Sequence, residues 1–126
     1  MTLVLDSGAF VALERNDRAM WRRLKTTLLS GDVPVSHGGI VGQVWRGRGA
    51  RQALLAKALA GVSVRAIDDS LGRKAGELLA RTRASDVIDS ALVLLAEDGD
   101  RIVTSDPDDL RTLAAASGRH VEIVRA

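Results

Sequence analysis

Five aspartates carry most of the chemistry this sequence can offer. Asp106 and Asp109 stand in TSDPDDL (104–110), Asp86 and Asp89 open DVIDSALVLLA, and Asp6 closes the apolar run TLVLD. Carboxylates crowded together without compensation repel and raise one another's pKa, so a convergent set implies a cation. Hard oxygen donors with no thiolate or imidazole among them point to Mg²⁺ or Mn²⁺. Such an ion bridges phosphates and can activate water for in-line attack on a phosphodiester. Each aspartate also has a plainer use. Asp6, Asp86 and Asp106 suit helix N-caps, with Pro107 at the first helical position, and Asp89 and Asp109 suit first-turn partners of the helix dipole, each worth about 1 kcal/mol or less. Taken singly, each reads as a cap. Taken together, they raise the question of whether the fold gathers them, and a helix N-terminus can itself hold a ligand carboxylate in position.

The surrounding elements bear on that question. TLVLD reads as a short buried strand running straight into a helix, SGAFVALE, capped by Asp6 or Ser7. Arg18 to Leu29 carries Trp21, Leu24 and Leu28 at helical intervals among basic residues, an amphipathic pattern suited to a groove, a dimer surface or the core. VPVS is a brief strand whose Pro34 favours an edge or a strand start. GGIVGQVWRG reads as helix despite its glycines, RQALLAKALAG as a helix closed by Gly61, VSVRAI as a strand and DDSLGRKAGELLARTR as a helix with an acidic start. An apolar helix from Asp86, the strand RIVTSD, the helix PDDLRTLAAASG and the strand HVEIV complete the chain. Short apolar strands alternating with helices predict an α/β fold with a mainly parallel sheet. Right-handed crossovers deliver the C-terminal strand ends to one sheet edge. Asp6 and Asp106 both follow such ends, while Asp86 and Asp89 lie one turn apart on a single helix face.

Composition narrows the field. At 126 residues the chain suits one domain, 1–126, with an aliphatic core, since it has one Phe, two Trp and no Tyr. Cysteine is absent, which removes disulfides, thiolate metal sites and Cys nucleophiles and suits a reducing compartment. No stretch approaches a membrane span or a signal sequence, so a cytoplasmic location is expected. Net charge is only +2, but Arg clusters in RGRGARQ, where Arg46, Arg48 and Arg51 read either as phosphate contacts or as solvated surface. Trp45 reads as packing, and His37 and His120 as structural.

LVLDSGAFVALE, IVGQVWRG, DVIDSALVLLA and IVTSDPDDL, in this order and spacing, resemble a PIN domain, in particular the toxin of a VapBC-type toxin–antitoxin pair. The resemblance covers essentially the whole chain; the opening Asp motif alone is weak, whereas T-x-D-x-x-D-L after a D-x-A helix is more specific. It implies a three-layer α/β/α PIN-like domain that binds Mg²⁺ or Mn²⁺ and cleaves RNA. Carried over by position, Asp6, Asp89 and Asp106 are the catalytic and metal-binding acids, Asp109 an additional ligand or support, and Asp86 an equivalent of Asp89 or its helper. Thr104 would orient the last acid, and Ser7 would touch phosphate or serve as a turn residue. One position departs: Gln43 stands where most of the family has Glu, and an amide brings no charge to a metal. The resemblance further implies a VapB-like antitoxin whose C-terminal segment covers the acidic groove, and a homodimer.

Two competing functions remain open on sequence. Gln43 admits a catalytically weak PIN-like domain that binds RNA or protein. A phospho-accepting receiver domain has similar length and fold, but it requires paired acids after the first strand and an Asp ending a middle strand, whereas LVLDSG has one acid and VSVRAI ends in Ile.

Overall fold

The computed structural model describes residues 1–126. Five strands, β1 (Leu3–Leu5), β2 (Val35–His37), β3 (Ser63–Arg65), β4 (Arg101–Thr104) and β5 (Glu122–Arg125), form one sheet in the order β3-β2-β1-β4-β5, every neighbouring pair parallel. The crossovers are the helices α1 (Ser7–Glu14), α2 (Arg18–Leu29), α3 (Gly38–Val44), α4 (Ala50–Leu59), α5 (Asp69–Ala80), α6 (Val87–Leu95) and α7 (Pro107–Ser117). Helices α2, α3 and α4 pack on α1, whereas α5, α6 and α7 pack on one another, giving a helical layer on each face of the sheet. The expected three-layer α/β/α architecture is what forms, and its sheet is entirely parallel.

Burial explains the layering. Leu3, Val4 and Leu5 of β1 and Ile102 and Val103 of β4 are inaccessible on both faces, as central parallel strands must be. They meet Phe10 and Leu13 from one helical layer and Leu92, Leu110 and Leu113 from the other. Strand order reverses at β1, so the crevice beyond the C-terminal ends of β1 and β4 is the topological switch point, where open α/β sheets place their ligands. Asp6 follows β1 and Asp106 follows β4.

Pro34 takes the strand-start position expected of it, and two other local expectations are corrected. Strand β2 is interior, and Pro34 precedes it, its carbonyl accepting from Ser63 N at 2.8 Å; the missing proline N–H therefore falls outside the ladder. Helix α3 stops at Val44, before WRG, because Gln52 Oε1 accepts from Arg46 N (2.8 Å) and Gly47 N (3.1 Å) and draws the chain out of the helix. Helix α4 is closed by Ala60 in a right-handed conformation, and Gly61 is not left-handed. No helix is long and apolar enough to cross a membrane.

Candidate functional site

The segments around Asp6 and Asp106, a hundred residues apart, approach each other through a glycine. A Cβ on Gly8 would lie 2.5 Å from Ser105 Oγ and 2.7 Å from Ser105 N, so the first turn of α1 and the loop after β4 touch only because that side chain is missing. Gly8→Ala gains helix propensity of at most about 1 kcal/mol. The backbone it would strike makes the net change a destabilisation of about 1–3 kcal/mol, as for other overpacked sites. Denaturant unfolding measures it, and an alanine variant as stable as the parent would show that the loop can yield.

Asp6 is buried, and each of its carboxylate oxygens accepts one hydrogen bond. Its Oδ1 accepts from Ser7 N at 2.7 Å and its Oδ2 from Thr104 Oγ1 at 2.6 Å. The same Thr104 hydroxyl oxygen accepts from Asp106 N at 3.0 Å. One buried hydroxyl thus links the acid after β1 to the backbone of the acid after β4.

Asp86 is the N-cap of α6, its Oδ1 accepting from Ile88 N (2.8 Å) and Asp89 N (3.3 Å). That cap sets the pitch of the turn carrying Asp89. His37 fixes the same turn from the other side. Its Nδ1 accepts from Gly39 N and Ile40 N, capping α3, which leaves the proton on Nε2 to be donated to the Ile88 carbonyl at 2.9 Å. Burial lowers the His37 pKa, against the opposing effects of that hydrogen bond and of the Asp6 and Asp86 charges. A Cβ on Gly39 would meet the Cδ1 tip of Ile88, which would have to move aside.

Asp106 departs from the cap reading: its side chain makes no capping bond to α7, although Pro107 occupies the first helical position. Hydrogen bonding to Asp106, followed by the Asp106 charge, raises the Asp109 pKa. Asp86, Asp89 and Asp109 line a cleft of about 380 Å³ together with Arg83, Ser85 and Thr112. Sequence reading passed over these last three, although Thr112 lies one turn beyond Asp109 on the same helix face. Asp6 and Asp106 do not line that cleft, yet their charges reach it. The Asp89 pKa is pushed up to about 6, first by burial, then by the negative charges of Asp86, Asp6, Asp109 and Asp106 in turn.

The gathering is electrostatic and stops short of a coordination shell. No three acidic or histidine side chains stand close enough to hold one ion as they are. The reason is local: Asp6 is tied to Ser7 and Thr104, and Asp86 to its own helix. In donor chemistry the five still suit a hard divalent cation. All offer carboxylate oxygens, and none is neutralised by an ion pair, since the chain's three pairs involve Asp69, Glu122 and Asp108.

The remaining candidates lie apart. Gln43 is exposed on α3 and its side chain makes no hydrogen bond; the amide at work nearby is buried Gln52. Ser7 lines a different hollow, with Gly8, Arg15 and Ser105. Arg46 folds back onto the end of α3, donating to the carbonyls of Gly42, Gln43 and Trp45, while Arg48 and Arg51 are exposed.

No family model and no curated protein matches the chain. Among solved structures, a chain from the crystal structure of VapBC2 from Rickettsia felis bound to a DNA fragment from their promoter matches with a TM-score of 0.71, covering 98% of this chain and 99% of that one at 13% identity. The two share a fold, the α/β PIN-like arrangement described above, with little sequence in common.

Proposed function

We propose that this chain is a metal-dependent endoribonuclease, the toxin of a toxin–antitoxin pair. The observation that carries the reading is the link from Asp6 through the Thr104 hydroxyl to the Asp106 backbone at the sheet's switch point, near a half-buried Asp89 whose pKa is raised by burial and by the charges of four other aspartates. Perturbed acids in a cleft are what catalytic sites are built from. The likeness in fold to a chain of a VapBC2 structure supports the choice of class.

In this reading Asp6, Asp89 and Asp106 hold Mg²⁺ or Mn²⁺, with Asp86 and Asp109 as further ligands or supports. Such an ion, when bound, supplies an acidified water for attack on phosphorus and neutralises charge on the leaving oxygen. The chain's own part is positioning: Thr104 fixes Asp6 against the Asp106 backbone, while the Asp86 cap and the His37 bond to Ile88 fix the turn bearing Asp89. Arg48 and Arg51 are the guanidinium groups left free for RNA phosphates, with Arg46 held by its own helix end. A VapB-like antitoxin, a homodimer and action in the cytoplasm belong to the same proposal.

Incubation of single-stranded RNA with the purified protein tests it. Cleavage is expected with added Mg²⁺ or Mn²⁺ and is lost on chelation; no cleavage with either ion sinks the enzyme. The second reading, a PIN-like binding module, is favoured by the absence of a closed ligand triad and by the unengaged Gln43. It predicts RNA or protein binding without turnover in the same assay.

A further inference from the structure

Between α2 and α4, apart from the aspartates, lies a larger hollow of about 530 Å³. Arg18, Arg22 and Lys25 of α2 and Lys57 of α4 line it around Trp21, and its lining contains no acidic residue. None of the four cations forms an ion pair. Arg18, Arg22 and Lys25 follow at i, i+4 and i+7, so they stand in one row along about 10 Å of helix. Trp21 is held in place: its Nε1 donates to the Leu13 carbonyl at 3.0 Å, and the ammonium groups of Lys25 and Lys57 stand 6.0 and 5.8 Å from its ring centre.

We propose that the α2–α4 hollow binds the backbone of single-stranded nucleic acid, with phosphates on Arg18, Arg22, Lys25 and Lys57. A groove of cations that tracks the backbone, with an aromatic ring beside it, is the composition by which proteins hold single strands without sequence preference. A polynucleotide meets such a row in any register because every residue is charged. An acidic peptide must instead supply carboxylates at matching spacing.

Leu13, to which Trp21 is bonded, lies in the last turn of the helix that Asp6 begins, so about 10 Å of rise along α1 separates Asp6 from the residue that anchors Trp21. A strand of a few nucleotides reaches both. That last step rests on the nuclease reading; binding in the hollow does not.

Fluorescence anisotropy of a labelled single-stranded RNA, measured in chelator so that the strand stays intact, tests the site. Lys25→Glu combined with Lys57→Glu should weaken binding at least about tenfold at low salt. It should also reduce the slope of log K against log salt by about 1.4, two contacts at about 0.7 each. Lys25→Gln with Lys57→Gln should lose the same slope with a smaller drop in affinity, which guards against misfolding of the reversed pair. The control Lys74→Glu with Arg81→Glu, exposed on and just after α5, should lose less affinity and keep the slope. Unchanged affinity and slope in both lysine pairs would overturn the inference, as would equal losses in the control. Tighter binding of polyglutamate than of RNA would overturn it in favour of an acidic peptide. Metal-dependent cleavage alongside such a failure would leave the nuclease reading standing.

Discussion

Asp89→Asn lowers metal-dependent RNA cleavage by more than about 100-fold, beyond the 10–100-fold typical of supporting residues around a metal, and at pH 7 it makes the chelated protein more stable. The two effects share one cause. Asp89 is held at about 6 in the fold against the usual 3.8, because burial and four neighbouring negative charges disfavour its ionised form. The folded state therefore binds the proton more tightly than the unfolded chain. The stability associated with the neutral carboxyl is fully present below about 3.8 and is lost as pH rises through about 6. At pH 7 an ionised Asp89 costs the metal-free fold something. For a fully buried group the figure would be about 3 kcal/mol; solvent around this half-exposed side chain screens it to about 1 kcal/mol. Asparagine keeps the shape and removes the charge, so the chelated variant should gain about that much and lose this part of the fall in stability between pH 4 and 7.

Asp6→Asn should share the loss of cleavage without the gain. Its two oxygens accept from Ser7 N and Thr104 Oγ1, and an amide NH₂ cannot accept from the hydroxyl that already accepts from Asp106 N. Denaturant unfolding from pH 4 to 7 with chelator, beside a cleavage assay, measures both variants. A cleavage-competent Asp89→Asn protein, or one less stable than the parent at pH 7, would remove Asp89 from the centre of the site.

How far the sequence foretold this arrangement differs by level. The fold was legible because its signals are local: Leu3 to Leu5 and Ile102 to Thr104 are short, mostly apolar runs flowing straight into helices, and their alternation dictates a parallel sheet. The placement of Asp6 and Asp106 after strand ends, and of Asp86 and Asp89 on one turn of α6, was legible as well. Their working partners were not. That Asp86 caps its helix and Asp106 does not depends on the loop after β4, whose path is set by Thr104 beneath it and Gly8 beside it. His37 could be named structural, but its bond to Ile88 spans 51 residues and is decided by packing of the two helical layers across the sheet. Gln43 drew attention by its place in a motif, whereas buried Gln52 carries the hydrogen bonds that end α3. Periodicity reports which face a residue occupies; the atom that faces it is tertiary information.

Thr104→Val should separate positioning from ligation. Threonine and valine have nearly the same shape, so the fully buried pocket stays filled while two hydrogen bonds vanish: the donation to Asp6 Oδ2 and the acceptance from Asp106 N. Asp6 is buried, and leaving its oxygen short of a donor costs about 1–3 kcal/mol of stability. Loss of the link between the acids after β1 and β4 should lower cleavage by about 10–100-fold, the usual effect of removing a group that orients a metal ligand. Thr104→Ser keeps the hydroxyl while deleting a methyl from the core, so it should lose stability through packing yet retain most of the activity. The serine variant thus distinguishes orientation from filling. If valine and serine reduce cleavage equally, Thr104 acts only as core; if valine leaves cleavage unchanged, the Asp6 and Asp106 segments are held in register by the Gly8 contact alone.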